Sequence, residues 1–156
     1  MQRITLITIG ALKESYWKEA QEEYLKRLCA FARVEIIVIP ETPLRSPGER
    51  DAVQRDEADR ILARIPEAAR VIALDERGAQ ESSPDFAKTL TKWTAHGEPL
   101  VFILGGPTGL HQSIRDRASA TIALSEMTFT HQMARVFLLE QLYRAYMIAR
   151  GQAYHY

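Results

Sequence analysis

Three segments of this chain set turn-forming and hydrogen-bonding residues directly after apolar runs. They are Leu74-Asp-Glu-Arg-Gly78, Leu104-Gly-Gly-Pro-Thr-Gly109 and Leu124-Ser-Glu-Met-Thr-Phe-Thr130. The second is the most pronounced. Val101, Phe102, Ile103 and Leu104 stop abruptly on Gly105 and Gly106, and a short apolar run bounded by turn signals predicts a buried strand. Paired glycines let a ligand approach the main chain closely, and Pro107 stiffens the turn while removing one donor. In open α/β sheets the ligand crevice lies beyond the carboxyl ends of the strands. The three segments can therefore converge on one pocket built from backbone groups and apolar side chains. Such a pocket suits an adenosine-containing cofactor held by main-chain hydrogen bonds. Taken alone, the Gly-Gly turn is equally an ordinary strand-to-helix connection.

Other chemistries lack their signals. There is no G-x-G-x-x-G, and Gly105-Gly-Pro-Thr-Gly109 lacks the Lys-Ser/Thr of a phosphate-binding loop. No serine sits in a G-x-S-x-G elbow. His96, His111, His131 and His155 are scattered without a paired spacing or a cysteine cluster, so no metal site is expected. His131 precedes a helical stretch and reads better as a cap or core contact than as a catalyst.

The elements that must position these segments follow from periodicity. Ile4 to Ile9 is a β-branched run ending at Gly10, and Tyr16, Trp17, Ala20, Tyr24, Leu25 and Leu28 then recur at helical spacing. Val34–Ile39 predicts a second strand, stopped by Pro40, and the highly charged 49–64 stretch a solvated helix. Strands are expected at 71–74, 101–104 and 121–124, with 75–78 as a turn. Ser82-Ser-Pro-Asp85 carries a cap, a first-turn proline and an acidic residue in the order a helix start prefers. A short helix is expected near 111–119 and a long one over 132–149. This alternation predicts an α/β fold, a mostly parallel sheet with helices on both faces, in a single domain spanning 1–156. Apolar residues occupy nearly the whole circumference of the last helix, which predicts burial on more than one side and a subunit interface. Phe137 and Leu138 are its expected outward apolar residues.

Composition narrows the setting. The chain has 156 residues, 46% of them hydrophobic, enough for a real core. Its 20 basic and 20 acidic residues balance, so bulk charge neither demands nor excludes nucleic acid. Cys29 is the single cysteine; it is expected to be a small buried residue on a helix, and its isolation fits the cytosol. No run approaches membrane-spanning length and no signal-peptide pattern opens the chain, so a soluble cytoplasmic protein is expected.

The segments at 74–78 and 103–110, Leu124-Ser-Glu-Met-Thr-Phe-Thr-His-Gln-Met-Ala-Arg-Val136, Glu140-Gln-Leu-Tyr-Arg-Ala-Tyr146 and the tail Ala153-Tyr-His155 together resemble one family. They are similar to the bacterial large-subunit (23S) ribosomal RNA pseudouridine N3-methyltransferases of the SPOUT superfamily. The likeness runs from Ile4 to the C-terminus. It implies an α/β fold with a C-terminal trefoil knot, a homodimer, S-adenosylmethionine as methyl donor, and ribosomal RNA in the large subunit or assembled ribosome as partner. It also implies cofactor contacts at Leu74, Gly105, Leu124, Ser125, Glu126, Met127, Thr128 and Phe129. These fall on the segments that the strand-end pattern selects.

Methylating an imide nitrogen requires loss of its proton, so a base or a group that stabilises the anion is expected. The family-matching tail offers Tyr154 and His155 as catalytic residues, and histidine titrates near neutral pH. Arg135 and Arg144 fit phosphate binding to RNA, although Arg144 is at least as well placed to pair with Glu140 one helical turn away. Lys13, Lys18, Lys26, Arg27 and Arg33 form either an RNA-facing patch or a solvated helix face. Two other functions fit the pattern: a protein of the same fold that binds RNA and cofactor without catalysis, and a Rossmann-like nucleotide-dependent enzyme acting on small molecules.

Overall fold

The computed structural model describes residues 1–154. Among the described residues, five strands and five α-helices alternate: β1 (Gln2–Ile9), α1 (Ser15–Leu28), β2 (Ala32–Ile39), α2 (Arg50–Leu62), β3 (Arg70–Ala79), α3 (Ser83–Thr94), β4 (Leu100–Leu104), α4 (Gln112–Arg117), β5 (Ala120–Ile122) and α5 (His131–Ala149). A single 3-10 turn at Pro47–Glu49 leads into α2. The strands form one sheet in the order β2-β1-β4-β3-β5, and every pairing is parallel. All strand carboxyl ends therefore lie along the same edge.

Alternation along the central strands divides the core between two faces. Ile4 and Leu6 of β1 and Leu100, Phe102 and Leu104 of β4 pack with α1, α3 and α5, whereas Ile7, Ile9, Val101 and Ile103 pack with α2 and α4. Each side chain of β4 is buried, the signature of a parallel strand covered on both sides. The expected α3 start is present: the Ser82 side chain accepts from the Asp85 N–H at 3.2 Å, with Pro84 in the first turn. No helix among the described residues is long and apolar enough to cross a membrane.

Several expectations need correction. Residues 75–78 do not end the third strand; β3 continues to Ala79, slipping register so that both Leu74 and Ala79 pair with Ile122. Gly78 permits this close passage, because an added Cβ would sit 2.5 Å from the Ile122 carbonyl carbon. Strand β5 ends at Ile122, and Ala123, whose N–H still donates to the Ala79 carbonyl at 2.9 Å, begins the following loop. Cys29 is exposed, not buried: it caps the end of α1, where its Sγ donates to the Lys26 carbonyl at 2.8 Å. Leu138 is fully buried against the sheet, and only Phe137, 40% exposed, faces outward. Helix α5 spends most of its apolar circumference between α1, α3 and β4 within this chain.

Candidate functional site

Helix α4, which follows β4, packs on one face of the sheet, while α3 and α5, which follow β3 and β5, pack on the other. Chains leaving neighbouring strands in opposite directions open a crevice at their carboxyl ends. Here that crevice is a cleft of about 570 Å³, within the range of small-molecule sites. Its walls come from 74–77, 104–110 and the 122–134 stretch, with Arg50 and Gln54 of α2 at the rim beside the glycine turn, so the three segments singled out in the sequence do converge.

The central wall is a tight turn. Gly109 N–H donates to the Gly106 carbonyl at 3.0 Å, and Gly109 has φ +82°, a conformation that favours glycine. A Cβ on Gly105 would lie 3.1 Å from the Leu110 side chain and 3.2 Å from the Gly109 carbonyl carbon, and one on Gly106 would lie 2.8 Å from Ile9 Cγ2. The turn is thus closed upon itself and upon the core. A side chain at either position would require the Leu110 or Ile9 side chain to shift. The Thr108 carbonyl points to α2, where it accepts from Arg50 Nε at 3.2 Å, Arg50 Nη2 at 3.0 Å and Gln54 Nε2. Thr108 Oγ1 is buried with no hydrogen-bond partner.

The side walls are tied to this turn. Arg115 on α4 donates from Nη1 to the Leu110 carbonyl at 3.0 Å and to Asp75 Oδ2 at 2.8 Å, joining the β4 loop to β3. Burial works to raise the Asp75 carboxyl, but hydrogen bonds from the Arg77 N–H, the Arg77 side chain and Arg115 outweigh it and hold the carboxyl below its ordinary range. Across the cleft, Thr128 Oγ1 donates to Glu76 Oε2 at 2.8 Å, and Ser125 Oγ accepts from Met127 N–H at 3.0 Å. Thr130 then caps α5 by accepting from Met133 N–H at 3.3 Å.

The expected cofactor residues Leu74, Gly105, Leu124, Ser125, Met127, Thr128 and Phe129 all line the cleft, whereas Glu126, on the same loop, is exposed and outside the lining. His131 also lines it, at the first turn of α5, and burial, the largest cause, lowers its imidazole pKa below the ordinary value. Tyr154 is elsewhere. Its hydroxyl donates to Glu140 Oε1 at 3.3 Å, and its ring lies edge-on to Tyr143 with the Arg144 guanidinium 4.7 Å from its centre. Burial is the main cause that pushes the Tyr154 phenol up to about 12. His155, the expected base, falls outside the described residues.

Arg135 departs from its expected role, while Arg144 makes the helical pair expected as its alternative. Arg135 is 2% exposed and donates from Nη2 to the Gly10 carbonyl at 2.6 Å. A guanidinium buried in the floor between β1 and α5 is not presented to a phosphate backbone, so its expected RNA contact is corrected to a structural tie. Arg144 makes the helical pair with Glu140, donating from Nε to Oε1 at 3.0 Å. Arg50, Gln54 and Arg115 carry no local signal in the sequence. The charge run around α2 signals solvent, and nothing in its spacing marks one face as reaching a loop that lies more than fifty residues away.

A family described as "Predicted SPOUT methyltransferase" matches residues 2–155. The chain belongs to the SPOUT methyltransferase family. It is 42% identical over 159 aligned positions, covering 98% of this chain and 99% of the relative, to a protein of Symbiobacterium thermophilum named ribosomal RNA large subunit methyltransferase H. Among solved structures it is similar to a probable methylase family protein from Haemophilus influenzae Rd KW20, with a TM-score of 0.60 at 10% identity over 99% of this chain and 71% of that one. It is also similar to a probable rRNA-methyltransferase from Porphyromonas gingivalis, with a TM-score of 0.56 at 17% identity over 96% of this chain and 70% of that one. At these identities the structural likenesses establish the fold alone. Within the SPOUT methyltransferase frame, the glycine turn and the 122–134 wall form the carboxyl-edge cleft of a methyltransferase fold.

Proposed function

We propose that this SPOUT methyltransferase uses S-adenosylmethionine to methylate N3 of a pseudouridine in large-subunit ribosomal RNA. The observation that carries the reading is the near-full-length 42% identity to a relative named for large-subunit ribosomal RNA methylation. The tail and loop motifs support the pseudouridine assignment. The proposal includes one methyltransferase domain over 1–156, a C-terminal trefoil knot, a homodimer and a bacterial cytoplasmic setting.

The residues present fit the cofactor. Its polar and adenosine parts require backbone donors and acceptors beside apolar surface, and the cleft supplies the 105–110 turn next to Leu74, Leu110, Ile122, Leu124 and Phe129. When bound there, S-adenosylmethionine supplies a methyl group already activated by its sulfonium. The protein's part is then to hold, orient and exclude water. Gly105 to Leu110 and Leu124 to Phe129 provide the holding surfaces, and Glu126 is retained on that loop as a contact from its exposed position. The N3 proton must leave, and His155 is proposed to accept it. Tyr154, with a phenol pushed up to about 12, stays protonated near neutral pH and serves as a hydrogen-bond donor instead of a base. Arg144 would bind RNA only from its pairing with Glu140.

The test is transfer of labelled methyl from S-adenosylmethionine to naked ribosomal RNA, free large subunits and whole ribosomes lacking the modification, followed by nucleoside mass analysis. N3-methylpseudouridine in one substrate is the expected product. Cofactor binding without methyl transfer to any of the three would favour the non-catalytic reading, and binding of NAD or ATP in place of S-adenosylmethionine would favour the Rossmann-like one.

A further inference from the structure

Helix α2 enters the sequence as a solvated, charge-rich element, and Arg50, Asp51, Ala52, Arg55, Asp56 and Asp59 are exposed. One face is not solvent-directed. Arg50 and Gln54, a helical turn apart, both reach the Thr108 carbonyl, giving it three donors. The peptide unit that carries this carbonyl also carries the Gly109 N–H, which closes the turn on the Gly106 carbonyl at 3.0 Å. Both polar ends of that peptide plane are therefore fixed, one by α2 and one by the turn itself. With its orientation set, the remaining backbone groups of 105–108 hold one arrangement before any ligand arrives.

Helix α2 is itself anchored. Glu57, 3% exposed, accepts from the Thr42 N–H at 3.0 Å, and Arg60 donates to the Pro40 carbonyl at 2.7 Å and to Asp56 at 2.9 Å. The bonds to Thr42 and Pro40 tie the helix to the segment after β2 at the same carboxyl edge. A lever held at its middle and far end presents its first turns to the cofactor loop.

We infer that Arg50 and Gln54 are positioning residues that preorganise the 105–109 turn for S-adenosylmethionine, acting through the Thr108 carbonyl. The inference rests on the proposed function. A preorganised loop raises affinity by removing the cost of ordering it at binding, so loss of these donors acts on binding and not on the chemical step.

The experiment measures S-adenosylmethionine affinity by calorimetry, and kcat with ribosomal substrate at saturating cofactor, for the full chain and its variants. Arg50→Ala/Gln54→Ala should raise Kd on the order of tenfold while kcat at saturation stays within about twofold. Gln54→Met, which keeps side-chain volume and removes the donor, should weaken binding alone and tests the idea if the double variant folds poorly. Arg55→Ala, on the exposed face of the same helix with its guanidinium paired to Asp51, should bind as the parent does. Folded Arg50 and Gln54 variants with unchanged Kd, or with a loss confined to kcat, would overturn the inference. A parent chain that binds no S-adenosylmethionine would instead sink the proposed function, and this inference with it.

Discussion

Gly78→Ala tests whether the slipped register of β3 against β5 shapes the cleft. An added Cβ would sit 2.5 Å from the Ile122 carbonyl carbon and 2.7 Å from its Cα and N. All three are backbone atoms, so no rotamer change relieves the clash. Ordinary carbon contact needs about 3.5 Å or more, so the strands must part by about 1 Å. The adjoining bond from Ala123 N–H to the Ala79 carbonyl, 2.9 Å long, would stretch past the useful range. Overpacking against backbone costs about 1–3 kcal/mol and the lost bond about 1 kcal/mol, giving a loss of roughly 2–4 kcal/mol. At this chain length that lowers Tm by roughly 5–15 °C. Urea unfolding measures the change, with Gly48→Ala as control because nothing lies within 4 Å of its added Cβ. S-adenosylmethionine affinity should fall as well, since residues 122–124 form a cleft wall. A Gly78→Ala protein within about 0.5 kcal/mol of the parent, binding cofactor normally, would refute the reasoning.

Three further outcomes follow from individual side chains. Burial raises the Glu57 carboxyl above its ordinary value, so the folded chain binds that proton more tightly than the unfolded one, and stability falls as pH rises from the unfolded value through the folded one; Glu57→Gln should gain stability relative to the parent between pH 4 and pH 8 in urea titrations, and a gain that does not grow with pH would contradict the assignment. Phe137→Asp should raise a dimer dissociation constant on the order of a hundredfold in analytical ultracentrifugation, whereas a parent chain that is monomeric at micromolar concentration would remove the dimer from the account. Deleting Tyr154 to Tyr156 should reduce single-turnover methylation far more than Tm or cofactor affinity, and near-native turnover would strip the tail of its proposed role.

What was legible in the sequence was what local pattern encodes. The buried strand at 101–104, the Ser82 cap and the three strand-end segments that line the cleft each announce themselves through periodicity or turn chemistry within a few residues. The strand order was not legible, because parallel pairing joins residues through long crossovers that leave no local mark. The turn expected at Asp75–Gly78 became part of β3 because Gly78 permits a close approach to Ile122 that only the assembled sheet supplies. Arg135 has the composition of a phosphate ligand, yet its position on the inner side of α5 turns it to the Gly10 carbonyl. Arg50 and Gln54 look like solvent-facing charge and polarity until Thr108, distant in sequence, is folded against them.

The central claim is that the three strand-end segments form one S-adenosylmethionine site. The most direct measurement is amide NMR of the labelled chain titrated with S-adenosylmethionine. Saturable shifts are expected at Leu74, across Gly105–Leu110 and across Leu124–Phe129, with exposed α2 amides such as Arg55 little changed. Saturable binding whose shifts leave the glycine turn untouched and cluster on another surface would contradict it.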